Sequence, residues 1–219
     1  MRKHRAILYK IFTGLALMSF FSSCVGFLSN SEASSVNLVE RNKASPPSWL
    51  QEAPGSLFES EDLLNFYSVE NHVRNLPETI KQGEQDVLRG TIQALNVLAK
   101  ERLMKRLEAE RPGVAELIKT SPVLQTRLDG YIGESVQVYH KQYARIADIY
   151  FERYSAGVIA NDGADTDFFK VYILAQFPSR YLPELIKEVG LHLTSSGDTT
   201  LGAAGSLLKR ELSKNDQTH

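Results

Sequence analysis

The chain carries one thiol, on Cys24. A thiol can attack an electrophilic carbon or join a second thiol, but a lone cysteine cannot form an internal disulfide. Its own chemistry is therefore modification, with acylation the first candidate. The five histidines are His4, His72, His140, His192 and His219, and none is spaced from another as a zinc pair would be. His72 is expected on the polar side of a strand, in solvent. Asn161, Asp162, Asp165 and Asp167 could offer oxygens to Ca²⁺, but they lack the twelve-residue spacing and terminal Glu of an EF-hand. That stretch reads as a solvated turn. Serines are plentiful, yet no Gly-x-Ser-x-Gly elbow, phosphate loop or dinucleotide fingerprint occurs. A hydrolase would need a fold that gathers Ser, His and a carboxylate in one pocket, since a triad is defined by geometry. Lys100, Arg102, Lys105, Arg106 and Arg111 are interspersed with Glu101, Glu108 and Glu110, the pattern of a solvated helix face with ion pairs. Tyr139, Tyr143, Tyr150, Tyr154 and Tyr172 form an aromatic-rich region, expected to pack beneath a hairpin or else to mark an interface.

The surroundings of Cys24 direct its chemistry. Residues 1–10 hold Arg2, Lys3, Arg5 and Lys10 and no acidic side chain. Residues 11–21, IFTGLALMSFF, carry no charge, and Ser22-Ser23-Cys24 follow. A basic start, a short apolar run and small residues before a cut are the parts of a secretory signal. An eleven-residue helix rises only about 16 Å, roughly half a hydrocarbon core. Phe21-Ser22-Ser23-Cys24 resembles the lipobox of bacterial lipoproteins. That resemblance implies diacylglycerol on the Cys24 thiol, cleavage before Cys24 and acylation of the new amino terminus. Several acyl chains anchor stably where one does not, each buried CH₂ contributing about 0.8 kcal/mol. Val25, where an Asp would favour inner-membrane retention, implies passage to the outer membrane. The alternatives are an ordinary signal cut near Cys24 or an uncut anchor.

The 219 residues suffice for one domain, with 42% apolar and 23% charged residues. The formal net charge is −1, so no overall basic field invites nucleic acid. Without the four basic side chains of residues 1–23 the balance is 21 basic to 26 acidic, a net charge of −5. Such a body gains nothing from anionic lipid, and any membrane attachment must come from something other than a polybasic patch.

The elements follow from periodicity. Residues 24–63, with a polar run from Ser29 to Ser35 and Pro46, Pro47 and Pro54, are expected to be a flexible tether. Trp49 and Leu50 within it are expected to pack on the domain edge. Residues 64–73 alternate as a half-buried strand. Asn75, Pro77 and Glu78 open a long helix, with Leu88, Ile92, Leu95, Ala99 and Leu103 as its stripe, ended by Pro112-Gly113. Ser121-Pro122 opens a second helix with Leu124, Leu128, Ile132 and Val136 inward. Residues 145–156 and 168–177 read as two strands of an antiparallel hairpin, turning near Asn161-Asp162-Gly163. Ser179 is expected to cap a helix through Val189, with Gly190 past its end. The expected organisation is a signal peptide (1–23), a tether (24–63), an α+β domain (64–192) and a loosely ordered tail (193–219). The fold class is α+β, a small antiparallel sheet packed by a long amphipathic helix and shorter helices.

Pro47-Ser48-Trp49, Phe66-Tyr67-Ser68-Val69, the helix from Pro77 to Leu107, Ile146-Ala147-Asp148-Ile149-Tyr150 and Val171-Tyr172-Ile173-Leu174 occur in that order. In this layout the chain resembles the bacterial envelope lipoproteins of the LPP-twenty type, whose α+β domain is also similar to the N-terminal domain of a flagellar assembly protein. The resemblance implies a periplasmic or surface-facing structural role and supplies no catalytic residues. The expectation is a non-enzymatic lipoprotein held at the outer membrane by acylated Cys24, presenting a binding or scaffold domain in the periplasm. No cofactor, metal, nucleic acid or small-molecule substrate is inferred, and the partners are the membrane and a protein of the envelope. The alternative is an accessory lipoprotein regulating a cell-wall synthase, secretion or motility complex.

Overall fold

A computed structural model describes residues 36–156 and 167–215, with side chains to Leu208. Cys24 and the leader lie outside the described residues, as do Asn161, Asp162 and Asp165. Among the described residues, five strands form one antiparallel sheet: β1 (Val36–Arg41), β2 (Leu57–Ser60), β3 (Leu63–Val73), β4 (Arg145–Ala156) and β5 (Asp167–Pro178), in the order β1-β4-β5-β3-β2. Five helices accompany it: α1 (Leu76–Glu110), α2 (Pro112–Thr120), α3 (Pro122–Tyr143), α4 (Leu182–Ser195) and α5 (Thr199–Asn215). The α+β class, with one long helix among several on an antiparallel sheet, is the observed architecture.

Local chemistry accounts for the helix boundaries. Asn75 Oδ1 accepts the Glu78 backbone N–H at 3.3 Å, and Asn75 Nδ2 donates to Glu78 Oε2 at 2.9 Å, which closes the start of α1. Pro112 cannot donate the next rung, so the chain leaves α1 at Arg111 and begins α2. Ser121 Oγ accepts the Leu124 N–H and starts α3. The row buried on α1 is Gly83, Val87, Thr91, Leu95, Ala99, Leu103 and Leu107, and Leu88 and Ile92 only flank it. A strict four-residue spacing turns about 40° per step around a helix of 3.6 residues per turn. The row therefore faces Val171 and Ile173 of the sheet early in α1, and the apolar faces of α2, α3, α4 and α5 later. The sequence stripe averaged two directions that the tertiary packing separates.

Three expectations are corrected by the structure. The segment expected to be a flexible tether contains β1 and β2, which occupy the two edges of the sheet. The segment expected to be a loose tail contains α5, whose Leu201, Ala204, Leu207 and Leu208 are buried. Helix α4 does not stop at Val189; it begins after a 3-10 turn at Ser179–Tyr181 and continues through Gly190. Gly190 packs face to face with Gly205 of α5. A Cβ on Gly205 would lie 2.4 Å from the Gly190 carbonyl oxygen and 2.7 Å from the Thr194 nitrogen. This glycine marks a close helix crossing rather than a helix end.

Candidate functional site

The helices cover one face of the sheet through Phe66, Val171, Ile173, Ala175 and Phe177. The opposite face is covered by the chain between β1 and β2. This strap leaves one edge of the sheet and reaches the other. Asn42 prolongs the β1 pairing: its side chain donates to the Ile149 carbonyl at 2.9 Å and accepts the Phe151 N–H at 2.9 Å. Lys43 pairs with Asp148, and the Trp49 indole N–H donates to the same carboxylate at 3.0 Å. The Trp49 ring meets the Tyr67 ring edge-on at 5.1 Å, and Tyr67 donates its hydroxyl to the Glu52 carbonyl at 2.6 Å. The Gly55 N–H then donates to the Tyr67 carbonyl at 2.9 Å. Asp148, Leu174 and Tyr67 stand side by side on β4, β5 and β3, so the strap crosses one cross-strand row. That explains why Asn65 and Tyr67 are as buried as Leu64 and Phe66, on a strand expected to be half-exposed. Trp49 packs on the domain, as its sequence context suggested.

Asp148 has the strap's polar groups converging on it. Burial pushes its carboxyl up, but hydrogen bonds from Lys43 and Trp49 and the Ile149 amide outweigh burial and hold it below the usual carboxylate range. Lys43 and Trp49 come from about a hundred residues away, so no local pattern around Asp148 reveals them. A bulge between Ile146 and Asp148 turns Ile146 inward and leaves Ala147 exposed.

Two rows further along the same face, Glu152 is buried between two tyrosines. Tyr150 and Tyr154 donate to its two carboxylate oxygens at 2.8 and 2.6 Å, and Arg41 Nε lies 3.4 Å away. Burial pushes the Glu152 carboxyl up; the two hydroxyls, Arg41 and Lys170 pull it further down, and it stays ionised below its ordinary value. Burial and the Glu152 charge push the Tyr150 hydroxyl up to about 12, and the hydrogen bond to Glu152 with burial does the same for Tyr154. The i, i+2 spacing of Tyr150, Glu152 and Tyr154 was the signal in the sequence that these three share a face. The tyrosine group thus divides. Tyr150, Tyr154 and Tyr172 lie on the hairpin, whereas Tyr139 and Tyr143 stack toward Tyr181 beside α3.

The other residues singled out by type fall as follows. His72 is exposed, at a β3 bulge with φ 58°, and its ring lies 4.5 Å from Phe168. Asp167 is held by Arg153, with Nε at 2.9 Å. Among the described residues no group of three His, Cys, Asp or Glu side chains is placed to hold a metal ion. On α1, Arg106 pairs with Glu110 at 3.1 Å and Lys100 with Asp129 of α3 at 2.6 Å, while Glu108 of α1 takes Lys119 of α2 at 2.7 Å.

One Ser-His-Glu row exists. Ser135 Oγ lies 3.2 Å from His192 Nδ1, and His192 Nε2 lies 3.5 Å from Glu188. Its geometry opposes nucleophilic use. Ser135 is fully buried within α3 and donates its own proton to the Tyr131 carbonyl at 3.1 Å. Which of Ser135 and His192 donates to the other depends on the tautomer of His192. His140 is buried with Nε2 unpartnered, and burial pushes its pKa down.

Comparison with known proteins returns no matching family model, no matching curated protein and no matching solved structure.

Proposed function

We propose that this chain is a bacterial envelope lipoprotein, acylated on Cys24, held at the outer membrane and acting without catalysis through the contacts of its α+β domain. The observation that carries the reading is the order of residues 1–24: basic start, eleven uncharged residues, two serines and then the sole thiol. The position of that thiol agrees with it. Cys24 precedes the first residue of β1 by twelve positions, so modification there leaves the sheet undisturbed. No helix among the described residues is long and apolar enough to cross a membrane. The LPP-twenty resemblance points the same way and belongs to the proposal.

A binding or scaffold role is favoured by how the polar groups are used. Glu152 and Asp148 are tied to hydroxyl, indole, ammonium and guanidinium donors. Such arrangements hold surfaces in shape. The test is metabolic labelling with palmitate in wild type and Cys24→Ala, combined with separation of inner and outer membranes. Label on the wild type alone, with the wild type in the outer membrane and the variant displaced from it, is the expected result. An unlabelled wild-type protein that washes free of the envelope would overturn the proposal.

A further inference from the structure

The outer face of the sheet is covered unevenly. The strap crosses the row of Asp148, Leu174 and Tyr67. At the other end of the same face, Leu38 of β1 pairs with Tyr154 of β4, which pairs with Phe168 of β5. Val36 and Leu38 are 50% and 40% exposed, and Val39, the bulged residue beside them, is 54% exposed. Tyr154 and Phe168 stack at 5.4 Å and are half-buried, with His72 against Phe168. Three aliphatic side chains on one six-residue strand, flanked by aromatic rings, make a contiguous apolar rim.

We infer that this rim is the membrane-facing end of the domain, and that Val36, Leu38 and Val39 dock into the interface of the bilayer to which Cys24 is anchored. The inference rests on the lipid attachment proposed above and specifies how the domain sits on it. The argument is the length of chain between the two points. Eleven residues lie between Cys24 and Val36. Fully extended they span at most about 40 Å. The strand that begins at the linker's end is the strand with the exposed aliphatics. An anchored domain therefore meets the bilayer with this rim at a high effective concentration, where weak apolar contacts suffice. The nearby charges are balanced within the protein: Arg41 with Glu152, and Arg153 with Asp167 and Glu40. Nothing here requires anionic lipid, which suits a body with a net charge of −5 once residues 1–23 are removed. Tyrosine and phenylalanine beside the aliphatics suit the headgroup boundary.

The test uses the mature protein taken from cell envelopes and reconstituted into vesicles of phosphatidylethanolamine and phosphatidylcholine. If Cys24 is acylated, Leu38→Cys supplies the only free thiol, and a nitroxide on it reports its surroundings. Val36→Cys gives a second position should the first fold poorly, and Val123→Cys, 61% exposed at the start of α3, gives an aqueous reference. The expected result is one label per chain, with the ratio of oxygen to nickel-chelate accessibility several-fold higher at residues 36 and 38 than at 123. Equal, water-like ratios with one label per chain would overturn the docking while leaving the anchor intact. Strong coupling between labels of neighbouring chains would overturn it in favour of a second copy pairing along β1. Two labels per chain would reveal a free Cys24 and remove the anchor, and the docking with it.

Discussion

Replacing Trp49 by Ala tests whether the strap is part of the folded domain. The substitution removes the indole from the edge of Tyr67 and its N–H from the Asp148 carboxylate. A fully buried Trp→Ala costs about 3–5 kcal/mol; for a half-buried ring roughly half of that, near 2 kcal/mol, is expected. Loss of the charge-assisted hydrogen bond adds up to about 1 kcal/mol, less than its full worth because Lys43 and the Ile149 amide still satisfy Asp148. The expected destabilisation is therefore about 2–3 kcal/mol, or roughly 5–10 °C in Tm for a domain of this size. Trp49→Phe keeps most of the packing and should lose about 1 kcal/mol. Urea unfolding followed by far-ultraviolet circular dichroism is the suitable measurement, because the variant lacks the fluorophore that would otherwise report. The wild-type midpoint should also fall in acid as Asp148 protonates: its pKa is lowered on folding, so its contribution is present above the unfolded value of 3.8 and is lost as pH falls through the folded one. A change below about 0.5 kcal/mol in Trp49→Ala, as for a solvated linker residue, would refute the reasoning and return residues 42–56 to the status of a tether.

Two further predictions concern the helical side. Gly205→Ala forces a Cβ against the backbone of α4 and should destabilise by about 2–3 kcal/mol, read by chemical denaturation; a neutral outcome would mean that α4 and α5 do not cross closely. His140 has its pKa lowered by burial, so its neutral form contributes stability above the unfolded value of 6.5 that is lost as pH falls through the folded value. Urea midpoints should therefore decline over that interval in the wild type, and His140→Leu should flatten the decline; an unchanged slope would place the sensitivity elsewhere.

The hairpin of β4 and β5 was legible because Phe169, Val171, Ile173, Ala175 and Phe177 alternate without interruption, and only an inward face makes that pattern useful. The two ends of α1 and the start of α3 were legible because Asn75, Pro112 and Ser121 act on backbone groups within a turn of themselves, whereas α2, Pro112–Thr120, was read only as a break between helices. Residues 36–60 were misread for the opposite reason. Val36–Arg41 has no inward face of its own, and its pairing lies with β4, over a hundred residues on. Prolines in the strap look like linker chemistry because the groups that bind it, Asp148, Ile149, Phe151 and Tyr67, are distant in the chain. Gly190 looked like a helix end because one strand of sequence does not reveal a second helix pressing on it.

By itself the sequence determined the α+β class, the antiparallel hairpin, the ends of α1 and the start of α3, all of which depend on neighbours within a few residues. Tertiary structure alone decided which strands close the sheet, how the outer face is covered and which carboxylates are buried. Those outcomes depend on contacts between residues far apart in the chain, where burial, charge pairing and backbone hydrogen bonds are settled together and no local pattern records them.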